Sequence, residues 1–485
     1  HITDPEALIG GGPKARFEHN KKAIEAYQSI TSEGREPTQE DLDAMAGYIG
    51  WGSFGQELFQ GSFSAPAEKP GWSKEGAWLR EHLGEAGWKS AQASIINAHY
   101  TDPITVGAMW DMARQMGFTG GRVLEPSMGV GNFFGLMPRD LMAQSSLTGI
   151  EMDQLTGGMA KLLYPQAGVH IKPYQTSRTP DNFYDLVIGN WPFAAQPPAD
   201  RRYDKLSPTL HDYFYLKALD QTRPGGIVIG VTSAGTMDKQ GTSVRIEMAK
   251  KGELLAAWRL PTGAFEKYAG TGVVTDILVL RKRETPLSNV SGEPWIRSID
   301  VPTPSGQDVR VNEYFAARPH RILGTLDWGH GTTSMRPGMI VHRPADLMDR
   351  LASLADTLPA DGYRPIVRGR EPRFITNNTK ARDGYVVEQP DGKLYQVQGE
   401  RLAALDDLSR ALRVKDPKVA ERRTAQVRSL VGLRKGYGAL IDAEREGADN
   451  VDALRTKLRE QYEAFRKEHG AIGPSEGLAV LDSVE

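Results

Sequence analysis

The chain has 485 residues, a formal net charge of −2 and no cysteine. That length divides into roughly three packed units, and near-neutrality confines any polyanion-binding surface to a local patch. The lack of thiols excludes disulfides, thiolate metal sites and cysteine nucleophiles, and fits a reducing compartment.

No apolar run approaches the ~20 residues of a membrane helix. The opening HITDPEALIGGGPKARF has neither signal-peptide nor transit-peptide character, so a soluble, cytoplasmic protein is expected. Because the numbering opens on a histidine, a tag remnant or excision from a longer chain is also expected.

In PTQEDLDAMAGYIGWG, Thr38 precedes Asp41 as a capping pair, and Leu42, Met45, Ala46 and Ile49 recur at helical spacing, which predicts an amphipathic helix ended by Gly50. From Ser53 to Lys89 glycine, proline and tryptophan accumulate and periodicity fades. A packed connector is expected there, with residues 1–90 forming a helical module and connector.

Residues 91–285 alternate short apolar runs with helical patterns, the strand-like runs including RVLEP, SLTGIEM, YDLVIGN and GGIVIGVTS. This predicts an α/β fold: a Rossmann-like, doubly wound, mostly parallel sheet covered on both faces. ELLAAWRLP and VVTDILVLRKR read as two further strands, the second a candidate antiparallel edge. Residues 286–400 are rich in turns and strands, with a hairpin predicted around Asp391 and Gly392, and are a candidate target-recognition region. Residues 401–485 are charged and helical, with Leu454, Leu458, Tyr462 and Phe465 on one stripe.

The segment RVLEPSMGVGNFFG places an acid and Pro126, then Gly129 and Gly131, between a strand and a helix. Such a loop brings backbone N–H groups to a ligand at a strand's carboxyl end. A dinucleotide fingerprint needs a third glycine where Phe134 stands, and Glu125 would repel a pyrophosphate, so a cationic ligand fits better. S-adenosylmethionine carries a sulfonium and an amino group that suit such a site. Glu151, ending the next strand, suits the ribose hydroxyls, and Met152 could cover the adenine.

The strand YDLVIGN runs into Asn190, Trp191, Pro192 and Phe193. The Asn190 side-chain oxygen and the carbonyl of residue 191 can accept both hydrogens of an exocyclic amine on a planar ring. Pro192 holds that carbonyl, and Phe193 stacks on the ring of a flipped base. A plain proline turn with core aromatics is the structural alternative.

The series NAHYTDP, VLEPSMGVGN, GIEMD and YDLVIGNWPF resembles the motif order of N6-adenine DNA methyltransferases whose cofactor motifs precede the catalytic one. The resemblance implies a class I S-adenosylmethionine-dependent methyltransferase fold. His99, Tyr100, Thr101, Glu125, Pro126, Gly129, Gly131, Glu151, Met152, Gln175 and Asn190 are its implied cofactor contacts, and Asn190, Trp191, Pro192 and Phe193 its catalytic turn. LSPTLHDYFYLKALDQTRPGGIVIGVTSAGTMDK, RLPTGAFEKYAGTGVVTDILVL and YEAFRKEHGAI are similar to the methyltransferase half of methylase and helicase fusions of phages, plasmids and integrative elements. The implied partners are DNA, bound as a duplex with a flipped adenine, and a helicase domain or subunit.

Two positions depart from that pattern: Trp191 stands where the usual turn has a first proline, and Gln175 stands where an acid usually meets the adenine amine. Trp191 makes a catalytically silent fold used only for binding an alternative, and an RNA adenine or protein glutamine acceptor is another, since asparagine-proline-aromatic turns serve those planar amines as well. His211 and Asp212 are expected to be a core-edge histidine and a helix cap, and no metal site is expected. Arg201, Arg202 and Lys205 are candidate phosphate contacts, and Ser233 and Thr236 lack a partner base for nucleophilic catalysis.

Overall fold

The computed structural model describes residues 2, 11–52, 54–65, 67–97, 101–193, 196–264, 273–331, 337–365, 374–376, 385–389, 393–398, 401–404, 417–446, 448 and 450–470. The chain forms two compact units, His1–Ser177 with Asp181–Ile366, and Arg178–Pro180 with Val367–Glu485.

The first unit is built on a seven-stranded sheet. Its strands are β1 (Arg122–Glu125), β2 (Ser146–Glu151), β3 (Gly168–Ile171), β4 (Tyr184–Asn190), β5 (Thr222–Ser233), β6 (Gly252–Arg259) and β7 (Thr275–Lys282), in the order β3-β2-β1-β4-β5-β7-β6. β1 to β5 pair in parallel, whereas β7 runs antiparallel to β5 and β6. This is the Rossmann-like, doubly wound sheet expected, with the strand order and reversed strand of the class I methyltransferase fold. β7 is antiparallel but interior, and β6 forms the edge. Both faces of β7 are covered, which its unbroken apolar run DILVL allows.

Period-two alternation sends Val123, Leu186, Ile188, Ile227 and Ile229 into one core and Leu124, Val187, Val228 and Leu278 into the other. Helix α5 (Pro103–Gln115) packs in the first layer, capped by Asp102, whose carboxylate accepts from the Ile104 and Thr105 amides. Helix α9 (Leu210–Gln221) is buried from His211 to Gln221 in the second, as a helix inside a two-sided core must be. Residues 286–365 add to these cores: Trp295, Val311 and Phe315 pack in the second layer, and Leu347, Leu351 and Tyr363 in the first.

The amino-terminal helices are α1 (Pro13–Glu33), α2 (Gln39–Ala46), α3 (Gly55–Leu58) and α4 (Ser73–Asn97). The Thr38 and Asp41 capping box forms, but α2 ends at Ala46 and not at Gly50. The buried Asn20 amide draws the chain off the helix by donating to the Gly50 carbonyl and accepting from the Ile49 amide. The stretch expected as a connector carries most of α4, a helix kinked at Gly84, where φ is +61°. Its buried Leu79 and Trp88 lie on either side of that kink, which breaks the spacing a straight helix would show.

After the glycine loop come the short helices α6 (Asn132–Gly135) and α7 (Arg139–Ala143), separated by Pro138. Next is α8 (Gln154–Leu163), whose Met159 shares a core with Val130 of the loop and the amino-terminal helices.

In the second unit, Val386–Glu388 pairs antiparallel with Leu394–Gln398, the predicted hairpin, while Asp391 and Gly392 lie outside the described residues. Helices Pro417–Glu446 and Val451–His469 follow, with Phe465 buried among Val386, Leu394, Val427 and Val431. Leu454, Leu458 and Tyr462 are half-buried along the predicted stripe. Among the described residues no helix is long and apolar enough to cross a membrane.

Candidate active site

Parallel pairing of β2, β1 and β4 brings Glu151, Glu125 and Asn190 to the carboxyl edge of three adjacent strands. That edge is where open α/β sheets bind ligands.

Glu125 is 2% exposed, and its Oε2 has no hydrogen-bond partner among the described residues. Burial, reinforced by the Glu151 charge, holds its carboxyl well above the usual carboxylate range. A buried acid of this kind is a receptor for a cation or a strong donor.

The loop after Glu125 is pinned by backbone bonds. Pro126 is buried, the Met128 amide donates to the Ile150 carbonyl (3.0 Å), and the Gly131 amide donates to the Met128 carbonyl (2.7 Å). Gly129 and Gly131 have φ of +54° and +89°, a region only glycine enters at little cost. A Cβ on Gly131 would also run into the Tyr164 ring.

Glu151 ties this loop to β2. Its Oε2 accepts from the Gly129 amide (2.8 Å) and its Oε1 from the Asp153 amide (2.8 Å). Burial pushes this carboxyl up to about 7 against those bonds. A carboxylate offers about four acceptor sites, so capacity remains for two ligand hydroxyls. Asp153 caps α8 through the Thr156 amide (2.9 Å) and accepts from Ser90 of α4 (2.5 Å). Ser90 stands in no motif that a single sequence reveals, whereas Asp153 closes the GIEMD segment.

Met152, beside Glu151, is 68% exposed. Gln175 lies in a short turn, Tyr174–Thr176, just past the end of β3 on the same edge. Thr101 is buried ahead of α5, while His99 and Tyr100 lie outside the described residues.

On β4, Asn190 is half-buried and its carbonyl accepts from Ser127 Oγ (2.8 Å), which joins the glycine loop to the Asn-Trp-Pro-Phe turn. The Trp191 amide donates to the Val231 carbonyl of β5 (3.0 Å). The Trp191 indole is 1% exposed and lies in the α9 core layer, not in the cleft. Pro192 and Phe193 are half-buried, and the Phe193 ring meets His211 edge-on at 6.3 Å.

His211 is a buried residue at the core's edge, held through Nε2 by Thr209 Oγ1 (3.0 Å). Burial, with Lys239 nearby, pushes it down to about 4, so it is neutral at pH 7. Asp212 does not cap α9. It is fully buried, accepts from Thr209 Oγ1 (2.7 Å) and pairs with Lys239.

Arg201, Arg202 and Lys205 are all exposed after the turn, and Arg202 also pairs with Asp181 (2.8 Å) and Asp220 (3.0 Å). Among the described residues no group of three His, Asp or Glu side chains is placed to hold a metal ion.

No protein-family model matches the chain. It is 27% identical over 281 residues to the Defense against restriction protein B of Escherichia phage P1, a match covering 57% of this chain and 10% of that protein. The chain thus spans about a tenth of the curated relative it matches. Among solved structures it is similar to the type I restriction-modification methyltransferase subunit of Streptococcus thermophilus, with 16% identity, TM-score 0.34, and coverage of 44% of this chain and 53% of that one. It is also similar to the M protein of the type I restriction enzyme EcoKI, with 14% identity, TM-score 0.34, and coverage of 70% and 87%. At those TM-scores neither likeness bears on activity.

Proposed function

We propose that this chain is an S-adenosylmethionine-dependent methyltransferase that modifies the N6 amine of adenine in DNA. The observation that carries the reading is the buried Glu125, whose Oε2 has no hydrogen-bond partner among the described residues, beside a positive-φ glycine loop, with Glu151 and the Asn190 turn on the adjoining strand ends.

Glu125 would hold the amino group of the cofactor's methionine end, the Gly129 to Gly131 backbone would lie against it, and Glu151 would accept from the ribose hydroxyls. Met152 would cover the adenine, with Gln175 and Thr101 bordering the pocket. S-adenosylmethionine, when bound there, supplies an electrophilic methyl carbon.

The chain's own contribution is to orient the acceptor. Asn190 Oδ1 and the Trp191 carbonyl take the two amine hydrogens and direct the nitrogen lone pair, which ring conjugation otherwise makes a poor nucleophile. Phe193 stacks on the extruded base. Arg201, Arg202 and Lys205, exposed just beyond the turn, would contact phosphates.

The family resemblance and the name of the phage relative support a role in restriction or its evasion, with a helicase in the same polypeptide or as a partner. Burial of the Trp191 indole in the core layer, away from the cleft, supports an active turn over a catalytically silent fold.

The test is transfer of tritiated methyl from S-adenosylmethionine to DNA, RNA and protein, by wild type and by Asn190→Ala. DNA should be labelled, and the variant should lose about a hundredfold in rate while keeping cofactor affinity. Equal labelling by the variant, or label confined to RNA or protein, would refute the assignment.

A further inference from the structure

We propose that Trp191 is the positioning residue of the acceptor turn, held in a slot made by two glycines on neighbouring strands. The proposal rests on the methyltransferase reading above.

Strand alternation puts the side chains of residues 189 and 191 on one face of the sheet and that of Asn190 on the other. On the first face the indole lies flat over the β4 and β5 backbones. A Cβ on Gly230 would stand 2.5 Å from three indole atoms, and one on Gly189 would stand 2.8 Å from a fourth. No side chain other than hydrogen fits at either position with the ring in place.

The walls are Tyr215, edge-on at 5.5 Å, and Phe214, tilted at 5.9 Å, both from α9. The Tyr215 hydroxyl donates to the Gly230 carbonyl (2.7 Å), which fixes the slot's floor to its wall.

The backbone at the slot's mouth is tied on both sides. The Trp191 amide donates to Val231, and the Asn190 carbonyl accepts from Ser127. The sheet edge here carries the Asn190 side chain and the Trp191 carbonyl, the two acceptors assigned to the amine. The turn therefore takes from a buried ring the rigidity that a second proline would give through its fixed φ.

A proline at 191 would have no N–H for Val231 and would leave the slot empty, so it cannot substitute here despite occupying this place in the related turn.

The experiment compares Trp191→Phe, Trp191→Ala and Trp191→Pro in the full chain by single-turnover methyl transfer to DNA and by calorimetric binding of S-adenosylhomocysteine. Trp191→Ala and Trp191→Pro should each lose about a hundredfold in transfer rate, and Trp191→Phe less than tenfold, with cofactor affinity and KM for DNA within about threefold of wild type. Leu219→Ala serves as control: it lies in the same core layer but packs at Gly252, where β6 begins, and should lower Tm without lowering kcat.

A Trp191→Pro enzyme as fast as wild type would overturn the proposal, as would a Trp191→Ala enzyme that slows no more than Leu219→Ala. If wild type labels no acceptor, the functional reading fails, and amide exchange judges Trp191 separately. Trp191→Phe, which retains most of the packing, should then still speed exchange at residues 191 and 193 while Leu186 to Ile188 stay protected. Unchanged exchange at the turn would overturn the proposal.

Discussion

Replacing Glu151 with glutamine keeps the shape of the side chain and removes its charge, and its cost can be worked from two hydrogen bonds. The carboxylate accepts from the Gly129 and Asp153 amides, each at 2.8 Å. Glutamine presents one oxygen and one NH2, so one of those amides would face a donor, at a cost of about 1–3 kcal/mol. Bonds from ribose hydroxyls would also fall from the charge-assisted range, about 1.5–3 kcal/mol each, toward the neutral one, about 0.5–1.5 kcal/mol. Part of the first cost falls on the free protein, which leaves roughly 2–4 kcal/mol on binding, or about 30- to 1,000-fold in affinity.

Calorimetry with S-adenosylhomocysteine at pH 8 measures this directly. The pH dependence follows from the same group. With its carboxyl pushed up to about 7, Glu151 contributes most to folding at low pH, and that contribution is lost as pH rises through 7. Donor hydroxyls of a ligand favour the ionised form, so wild-type affinity should fall below pH 7, approaching tenfold per pH unit, and the glutamine variant should lose that step. An affinity within twofold of wild type, with the same pH profile, would refute the reasoning.

Three further outcomes are expected. Gly131→Ala, forced into φ of +89° against Tyr164, should cost at least about 1–2 kcal/mol, lowering Tm by about 1–3 °C and weakening cofactor binding, as read by thermal unfolding with and without ligand. Ser127→Ala removes the donor to the Asn190 carbonyl, worth about 1 kcal/mol, and should slow single-turnover transfer about fivefold with cofactor affinity unchanged. Asp185→Asn breaks a buried cluster in which Asp185 accepts from the Arg122 amide (2.8 Å) and pairs with Arg122 and Arg223, so denaturant unfolding should show a loss of about 3–5 kcal/mol. Despite burial, those arginines hold Asp185 down at about 2, so its stabilisation is complete above pH 4 and disappears as pH falls through 2.

The strands β1, β2, β4, β5 and β7 were legible because each is built on an apolar run bounded by polar or turn-forming residues. The edge strand β3 was not, since Gly168–Ile171 has one buried residue and no apolar run to mark it. Helix α4 escaped because the Gly84 kink interrupts its spacing.

The site's outline, an acid and glycines on one strand end with an acid and an asparagine on the next two, could be read from order alone. The direction of the Trp191 ring could not. It is set by Gly230, which follows 39 positions later on a different strand, and only the pairing of Gly189 with Gly230 creates the slot. Long-range bonds such as Ser127 to Asn190 and Ser90 to Asp153 are invisible for the same reason: hydroxyls carry no periodic signature.

The most direct test of the central claim is nucleoside mass spectrometry of mixed-sequence duplex and single-stranded DNA after incubation with the protein and S-adenosylmethionine. The account predicts N6-methyladenine in the digest, absent with Asn190→Ala. A digest without methylated adenine, from a protein that calorimetry finds loaded with cofactor, would contradict it.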